Sequence, residues 1–131
     1  MNLIPETLKR PGRLVALVVG GTDYDDEYVL WNCLDLLLAE ADERDLGMVV
    51  INGHTNGAAA LARVWATNND GVLLVNEQLS WKASGQEEGI RRMEKMLAKR
   101  SIDLCVTVPG GPGTDYIVKR CQEIGIPVIE A

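Results

Sequence analysis

A repeated junction of strand, glycine-rich turn and helix is the feature that most constrains this chain. The C-terminal example reads Val108-Pro109-Gly110-Gly111-Pro112-Gly113-Thr114-Asp115. Residues 102 to 108 are apolar and β-branched, as in a strand, and residues 116 to 124 place apolar side chains at helical spacing. We expect Thr114 to cap this helix, which leaves free N–H groups and the positive dipole end facing outward. Such a turn suits a phosphate or another anion, but an ordinary tight turn explains a single motif equally well.

Two further junctions of this kind occur earlier in the chain. Residues 13 to 19 form a continuous apolar run that ends in Gly20-Gly21-Thr22-Asp23 before a helical pattern. Residues 47 to 52 form a second strand, followed by Gly53-His54-Thr55-Asn56-Gly57 and a helix rich in alanine. The acids from Asp23 to Glu27 are most simply first-turn residues, with contact from Asp23 to a ribose hydroxyl or base edge as the alternative. A lone turn histidine such as His54 is more often a surface or hydrogen-bonding residue than an acid or base.

The remaining elements complete an alternating α/β pattern. Residues 71 to 76 and 125 to 130 are predicted strands, and residues 88 to 100 a helix. This alternation predicts a three-layer α/β/α, Rossmann-like fold with a mainly parallel sheet of about five strands. We expect one domain over residues 13–131, after an N-terminal extension over residues 1–12 that lies on the surface or reaches a neighbouring subunit. Loops after parallel strands share the carboxyl edge, so the three glycine-rich junctions should converge on one rim, which favours phosphate or nucleotide binding.

Two features that follow the third strand are relevant to the site, one in the connecting segment and one near the start of the next helix. The segment from residue 77 to residue 88 has no clear periodicity, so it is either a binding loop or a crossover with Trp81 pinned to the core. Arg91 lies near a predicted helix start, where a cation opposes the dipole. We therefore expect an anion to hold Arg91 there, although most cations on this helix form a solvated face.

Composition limits the partners and the compartment. A net charge of −6 makes bulk nucleic acid an unexpected partner. No apolar run approaches the roughly 20 residues of a membrane span, and no basic and apolar leader begins the chain. The three cysteines lie far apart and the chain has one histidine, which predicts buried thiols in a reducing cytoplasm and no metal site.

Three blocks give the chain a resemblance to a known family. These are residues 19–26, residues 53–66, and Pro109-Gly110-Gly111-Pro112-Gly113-Thr114 with the closing residues 125–130. They resemble the Rossmann-like SLOG superfamily, which includes the LOG phosphoribohydrolases and the Smf/DprA proteins, and more closely its YspA-like branch (DUF2493). The likeness spans residues 13–131, and its Pro-Gly-Gly-x-Gly-Thr block is the most specific part.

The chain also departs from the family pattern. Thr22 replaces the usual arginine of the first motif, and His54, Asn56 and Ala59 replace glycine, arginine and aspartate in the second. In the enzymatic LOG proteins an acidic residue used in N-glycosidic cleavage follows the glycine motif within about a turn, whereas Asp115 here follows Thr114 directly. Lost arginines remove phosphate clamps and a displaced carboxylate removes a catalytic group, so these changes favour binding over catalysis.

We therefore expect a small-molecule binding module for a nucleotide or an ADP-ribose-like ligand, with phosphate on the N–H groups of Gly110 to Thr114 and Gly21 to Asp23. Trp81 or Tyr24 would stack on a base. One alternative is an N-glycosidase with Asp115 as the acid, assisted by Asp23 or His54. Another is a degenerate structural homo-oligomer in which a partner covers Val29, Leu36 and Leu38. The motifs specify no cofactor. The predicted nucleotide-binding residues are Gly20, Gly21, Thr22, Asp23, Gly53, Asn56, Gly57, Arg91, Pro109, Gly110, Gly111, Gly113 and Thr114.

Overall fold

The computed structural model describes residues 3–4, 12–81 and 85–131. Strands and helices alternate along these residues, in agreement with the sequence pattern. Their bounds are β1 (Arg13–Val19), α1 (Glu27–Glu43), β2 (Gly47–Asn52), α2 (Ala58–Thr67), β3 (Val72–Asn76), α3 (Gln86–Lys99), β4 (Leu104–Thr107), α4 (Pro112–Glu123) and β5 (Val128–Glu130).

The five strands form one parallel sheet in the order β3-β2-β1-β4-β5. The chain moves outward from β1 to β3, then crosses back over the sheet to β4 and continues to β5. Neighbouring loops that leave β1 and β4 therefore lead to helices on opposite faces, which makes the end of these two strands the topological switch point. The predicted parallel sheet of about five strands is confirmed.

Two apolar clusters, one on each face of the sheet, confirm the three-layer architecture. Alternation along β1 sends Leu14, Ala16 and Val18 to the cluster that contains α1 and α2. The intervening residues Val15, Leu17 and Val19 belong to the cluster that contains α3 and α4. The central strand is thus buried on both faces, which explains its continuous apolar sequence.

Several boundaries differ from the sequence prediction by a few residues. Helix α3 begins at Gln86 instead of residue 88, and α4 begins at Pro112 instead of near residue 116. Proline is favoured at the first helical position because its fixed φ fits the helix and its missing N–H removes no helical hydrogen bond. No helix in the described part of the chain is both long enough and apolar enough to cross a bilayer.

The described part of the N-terminal segment packs into the domain. Ile4 is buried among the residues of the first cluster of its own chain, whereas the extension was expected on the surface or against a neighbouring subunit. The N–H groups of Leu3 and Ile4 donate to the carboxylate of Glu40, at 2.6 and 2.8 Å. The other predicted extension residues, apart from Gly12, lie outside the described residues.

The apolar residues of α1 that were predicted to lie under a partner subunit have different environments. Val29 and Leu36 are exposed. Leu38 instead packs against the first cluster of the same chain. The partner interface remains a prediction.

Candidate functional site

Three loops converge at the carboxyl edge of the sheet and line one cleft of about 210 Å³. The loop after β1, the loop after β2 and the start of α4 each contribute glycines, as the sequence predicted. Apolar side chains from the segment after β3 and from α3 and α4 form the rest of the wall. The predicted site residues that line this cleft are Gly20, Gly21, Thr22, Gly53, Gly111, Gly113 and Thr114.

Gly21 connects all three loops through its backbone. Its N–H donates to the carbonyl oxygen of Pro109 at 2.9 Å, and its own carbonyl oxygen accepts from the N–H of Ala58 at 3.0 Å. The predicted contact between this N–H and a phosphate is therefore wrong, because the donor is already used within the protein. The bond instead holds the loops after β1 and β4 against each other at the switch point.

Close approach of the loops explains some of the glycines. Gly57 has a φ of 68°, and a side chain there would overlap the carbonyl oxygen of Gly21. A side chain at Gly110 would overlap the hydroxyl of Thr114 and come within 2.7 Å of the Gly21 nitrogen. Gly111 differs, because a Cβ built there meets no atom within 4 Å. Gly111 therefore faces open space in the cleft, whereas Gly57 and Gly110 serve loop packing.

The N-terminus of α4 has no side-chain cap. Gly111 occupies the N-cap position, so the predicted cap by Thr114 is wrong, and Thr114 lies inside the first turn. The N–H groups of Gly111, Gly113 and Thr114 have no hydrogen-bond partner among the described residues. Because these residues line the cleft, the positive end of the helix dipole lies at its wall.

Trp81 forms part of the apolar wall and also packs into the core. Its indole lies between Gly89 of α3 and Gly113 of α4, and a Cβ at Gly113 would meet it at 3.6 Å. The ring of Tyr116 lies 6.2 Å away, tilted by 58°. The segment was predicted to be either a binding loop or a crossover with Trp81 pinned to the core. In the structure Trp81 packs against the second cluster and also lines the cleft. Lys82, Ala83 and Ser84 lie outside the described residues.

A hydrogen-bonded group fixes α3 against α4 beside Trp81. The carboxylate of Glu94 accepts from the Tyr116 hydroxyl at 2.7 Å and from Nε and Nη2 of Arg120 at 2.8 and 2.9 Å. The hydrogen bond from Arg120, then that from Tyr116, lowers the pKa of Glu94 below its ordinary value. Sequence patterns did not predict this group, since its members lie far apart along the chain.

Asn52 organises the loop after β2 and was also missed. Its buried amide oxygen accepts from the His54 N–H at 2.9 Å and from Nη1 of Arg63 at 3.1 Å. Its amide nitrogen donates to the Val75 carbonyl at 3.1 Å and to Oδ1 of Asn76 at 2.8 Å. The one sequence feature that could have indicated this contact is that the neighbouring strands β2 and β3 both end in asparagine.

Several predicted site residues do not line the glycine cleft. Arg91 pairs with Glu88 and its side chain is 75% exposed. Asn56 and Asp23 are exposed at the rim, and Asp26 caps α1 by accepting from the Val29 N–H at 3.3 Å. The capping role of Asp26 agrees with the simpler explanation of the acidic run.

Asp115 lines a second cleft together with Pro109 and Glu130. Thr114 lines both clefts. The described residues contain no cluster of histidine, cysteine and acidic side chains that could hold a metal ion. Asp115 therefore lines a different cleft from the predicted phosphate-binding glycines.

Comparison with known proteins agrees with this architecture. The family described as YspA, cpYpsA-related SLOG matches residues 15–83, just over half of the chain. The chain belongs to this family. Within this SLOG protein, the matched span contains the loops after β1 and β2 and Trp81, while α4 lies beyond it.

One relative of the SLOG protein extends over most of the chain. The Gene 61 protein of Mycobacterium phage D29 is 29% identical over 119 residues, which cover 86% of this chain and 92% of the phage protein. No solved structure matches.

Proposed function

We propose that this SLOG protein binds a nucleotide or a nucleotide-derived ligand of ADP-ribose type in the glycine cleft. The observation that carries the proposal is the uncapped N-terminus of α4, whose free N–H groups lie at the wall of this cleft. Backbone N–H groups at a helix start, together with the helix dipole, favour a phosphate oxygen. The position at the topological switch point is where ligands bind in open parallel sheets.

The N-terminus of α1 is a poorer phosphate site than that of α4. Asp26 already caps α1, and Glu27 adds a second carboxylate in its first turn. These acids would repel a phosphate at close range. The phosphate is therefore assigned to Gly111, Gly113 and Thr114.

The rest of the cleft suits the less polar part of such a ligand. Leu79, Trp81, Met93 and Ile117 form an apolar wall, and the indole of Trp81 offers a surface on which a base can stack. Tyr24, the other aromatic candidate, packs against the core cluster and does not line the cleft. Thr22 and Thr55 add hydroxyls at the rim.

Isothermal titration calorimetry against AMP, ADP-ribose, NAD and cyclic dinucleotides tests the proposal. The variant Gly111→Val fills the open space at the start of α4 without meeting a neighbouring atom within 4 Å of its Cβ. We expect it to weaken binding at least tenfold. Ala39→Val, at an exposed position of α1, is the matched control and should leave affinity unchanged. Absence of binding across the panel, or equal affinity of wild type and Gly111→Val, would contradict the proposal.

The N-glycosidase alternative stays a prediction without a favouring observation. Its acid, Asp115, lines the second cleft and not the glycine cleft. Release of free base from AMP, detected by chromatography and lost in Asp115→Asn, would support it.

A further inference from the structure

Strand β3 forms one edge of the sheet, and the outward backbone groups of Leu74 and Asn76 have no partner among the described residues. The Glu77 N–H donates to the Asn52 carbonyl, and the Val75 carbonyl accepts from the Asn52 side chain, so these two residues face β2. Because backbone direction alternates along a strand, the N–H and C=O groups of Leu74 and Asn76 point away from the sheet. Val72 also faces outward, and its N–H donates to the Asn69 carbonyl.

This edge lacks proline and charge, two of the features by which proteins prevent strand pairing. Val72–Asn76 contains no proline and no charged residue. Val72 and Leu74 pack against the first cluster, on the side that α2 covers. Leu73 projects from the opposite side and is 58% exposed. The edge is therefore apolar, and Leu73 is exposed on the side where Val75 packs against the second cluster.

We propose that β3 pairs antiparallel with β3 of a second copy of this chain, across a twofold axis at Leu74. The N–H and C=O groups of Leu74 then bond reciprocally between the copies, and the Asn76 N–H donates to the Val72 carbonyl of the second copy. This register places Leu73 beside Val75 of the second copy, on the side of the sheet that carries the second cluster. The two sheets become one continuous sheet.

The charges at the two ends of β3 favour a second copy as the occupant. Asp70 is exposed just before the strand. At the other end, Lys99 and Arg100 both pair with Glu77, at 3.5 Å each, which leaves one excess positive charge. Antiparallel pairing about a twofold axis brings each acidic end next to the basic end of the other copy. Because the partner strand is β3 of an identical chain, it also has the required length and apolar pattern.

The size of the contact sets the expected strength. Two paired five-residue strands with their neighbouring side chains bury less than the roughly 1,200 Å² at which stable interfaces begin. We therefore expect a reversible dimer that forms as the protein concentration rises.

Sedimentation equilibrium over a wide concentration range is the first test. The mass should rise from 14.3 kDa towards twice that value. Leu73→Lys places charge on the exposed side of the edge and should weaken dimerisation at least tenfold. Val64→Lys, at an exposed apolar position of α2, is the matched control and should not. A monomer at every concentration, or a dimer equally weakened by both variants, overturns the proposal.

Amide hydrogen exchange gives a second test that does not depend on a variant. The amides of Leu74 and Asn76 should exchange more slowly as concentration rises, whereas the exposed amides of the loop after β1 should not change. Asp70→Lys should also weaken the dimer, and an unchanged association constant would overturn the proposed register. Dimerisation without added protection at Leu74 and Asn76 would place the interface elsewhere and overturn the proposal.

Discussion

The N–H of Gly21 donates a 2.9 Å hydrogen bond to the carbonyl oxygen of Pro109, across the point where the chain changes direction along the sheet. This bond joins loops that are almost ninety residues apart in sequence. The two loops are therefore positioned against each other before any ligand arrives. A cleft positioned in this way loses less conformational freedom on binding than one assembled from separate loops.

The first prediction concerns the two adjacent glycines of the loop after β4. Gly110→Ala should destabilise the protein by about 1–3 kcal/mol, because the added methyl group overlaps Thr114 and approaches the Gly21 nitrogen. Gly111→Ala has open space and a negative φ, so only the poorer N-cap preference of alanine opposes it, and we expect a cost of at most about 1 kcal/mol. Urea unfolding measures both. Equal destabilisation by the two variants would contradict the loop packing described here.

Strong local patterns account for the parts of the fold that the sequence predicted. The bounds of β1 and β2 were predicted to the residue, since both are continuous apolar runs bounded by loop residues. The convergence of the glycine-rich loops followed from parallel topology alone.

Competing local rules and long-range contacts together account for what the sequence did not predict. The predicted cap by Thr114 is wrong because the helix begins earlier, at Pro112. The preference of proline for the first helical position therefore decided where the helix starts. Arg91 pairs with Glu88 one turn away, and it does not line the glycine cleft. Asn52 and Glu94 were missed because their partners come from other strands and helices, and no local spacing reveals such contacts.

The second prediction uses the two glycines that contact Trp81. Gly89→Ala places a methyl group into the indole, so Trp81 must move, and we expect a loss of about 1–3 kcal/mol in unfolding free energy. Gly113→Ala meets the same ring at 3.6 Å, an ordinary contact, and alanine also favours the helix. It should be neutral or slightly stabilising. Thermal unfolding followed by circular dichroism separates the two, and a stable Gly89→Ala protein would refute this placement of Trp81.

The third prediction concerns the buried side chain of Asn52. Asn52→Ala removes a side chain with four hydrogen-bonded partners. The Val75 carbonyl and the His54 N–H each lose the hydrogen bond that this side chain makes. We expect a cost of about 2 kcal/mol, and greater mobility in the loop after β2. Asn32→Ala, at an exposed position of α1, is the control and should change stability by less than about 0.5 kcal/mol. Chemical denaturation and amide exchange of residues 53–57 measure the two effects. Unchanged exchange in this loop would show that Asn52 does not hold it.

The last prediction is the pH dependence of the contact between α3 and α4. Hydrogen bonds from Arg120 and Tyr116 lower the pKa of Glu94 in the folded protein below its ordinary value of 4.5. In the unfolded chain these bonds are absent, so the pKa returns to that value. The ionised carboxylate therefore contributes stability that is fully present above about pH 4.5, and this contribution falls as the pH drops through the lower folded pKa.

Glu94→Gln should consequently lower the free energy of unfolding at pH 7. This difference from wild type should disappear as the pH falls below 4.5. Since the Glu94 side chain is 36% exposed, solvent screening limits the neutral-pH difference to about 1 kcal/mol or less. Glu43→Gln, at the exposed end of α1, is the matched control and should show no comparable pH dependence. Urea titrations from pH 3 to pH 7 measure the difference from wild type. A difference that stays constant over this range would show that the hydrogen bonds from Arg120 and Tyr116 do not depend on the charge of Glu94.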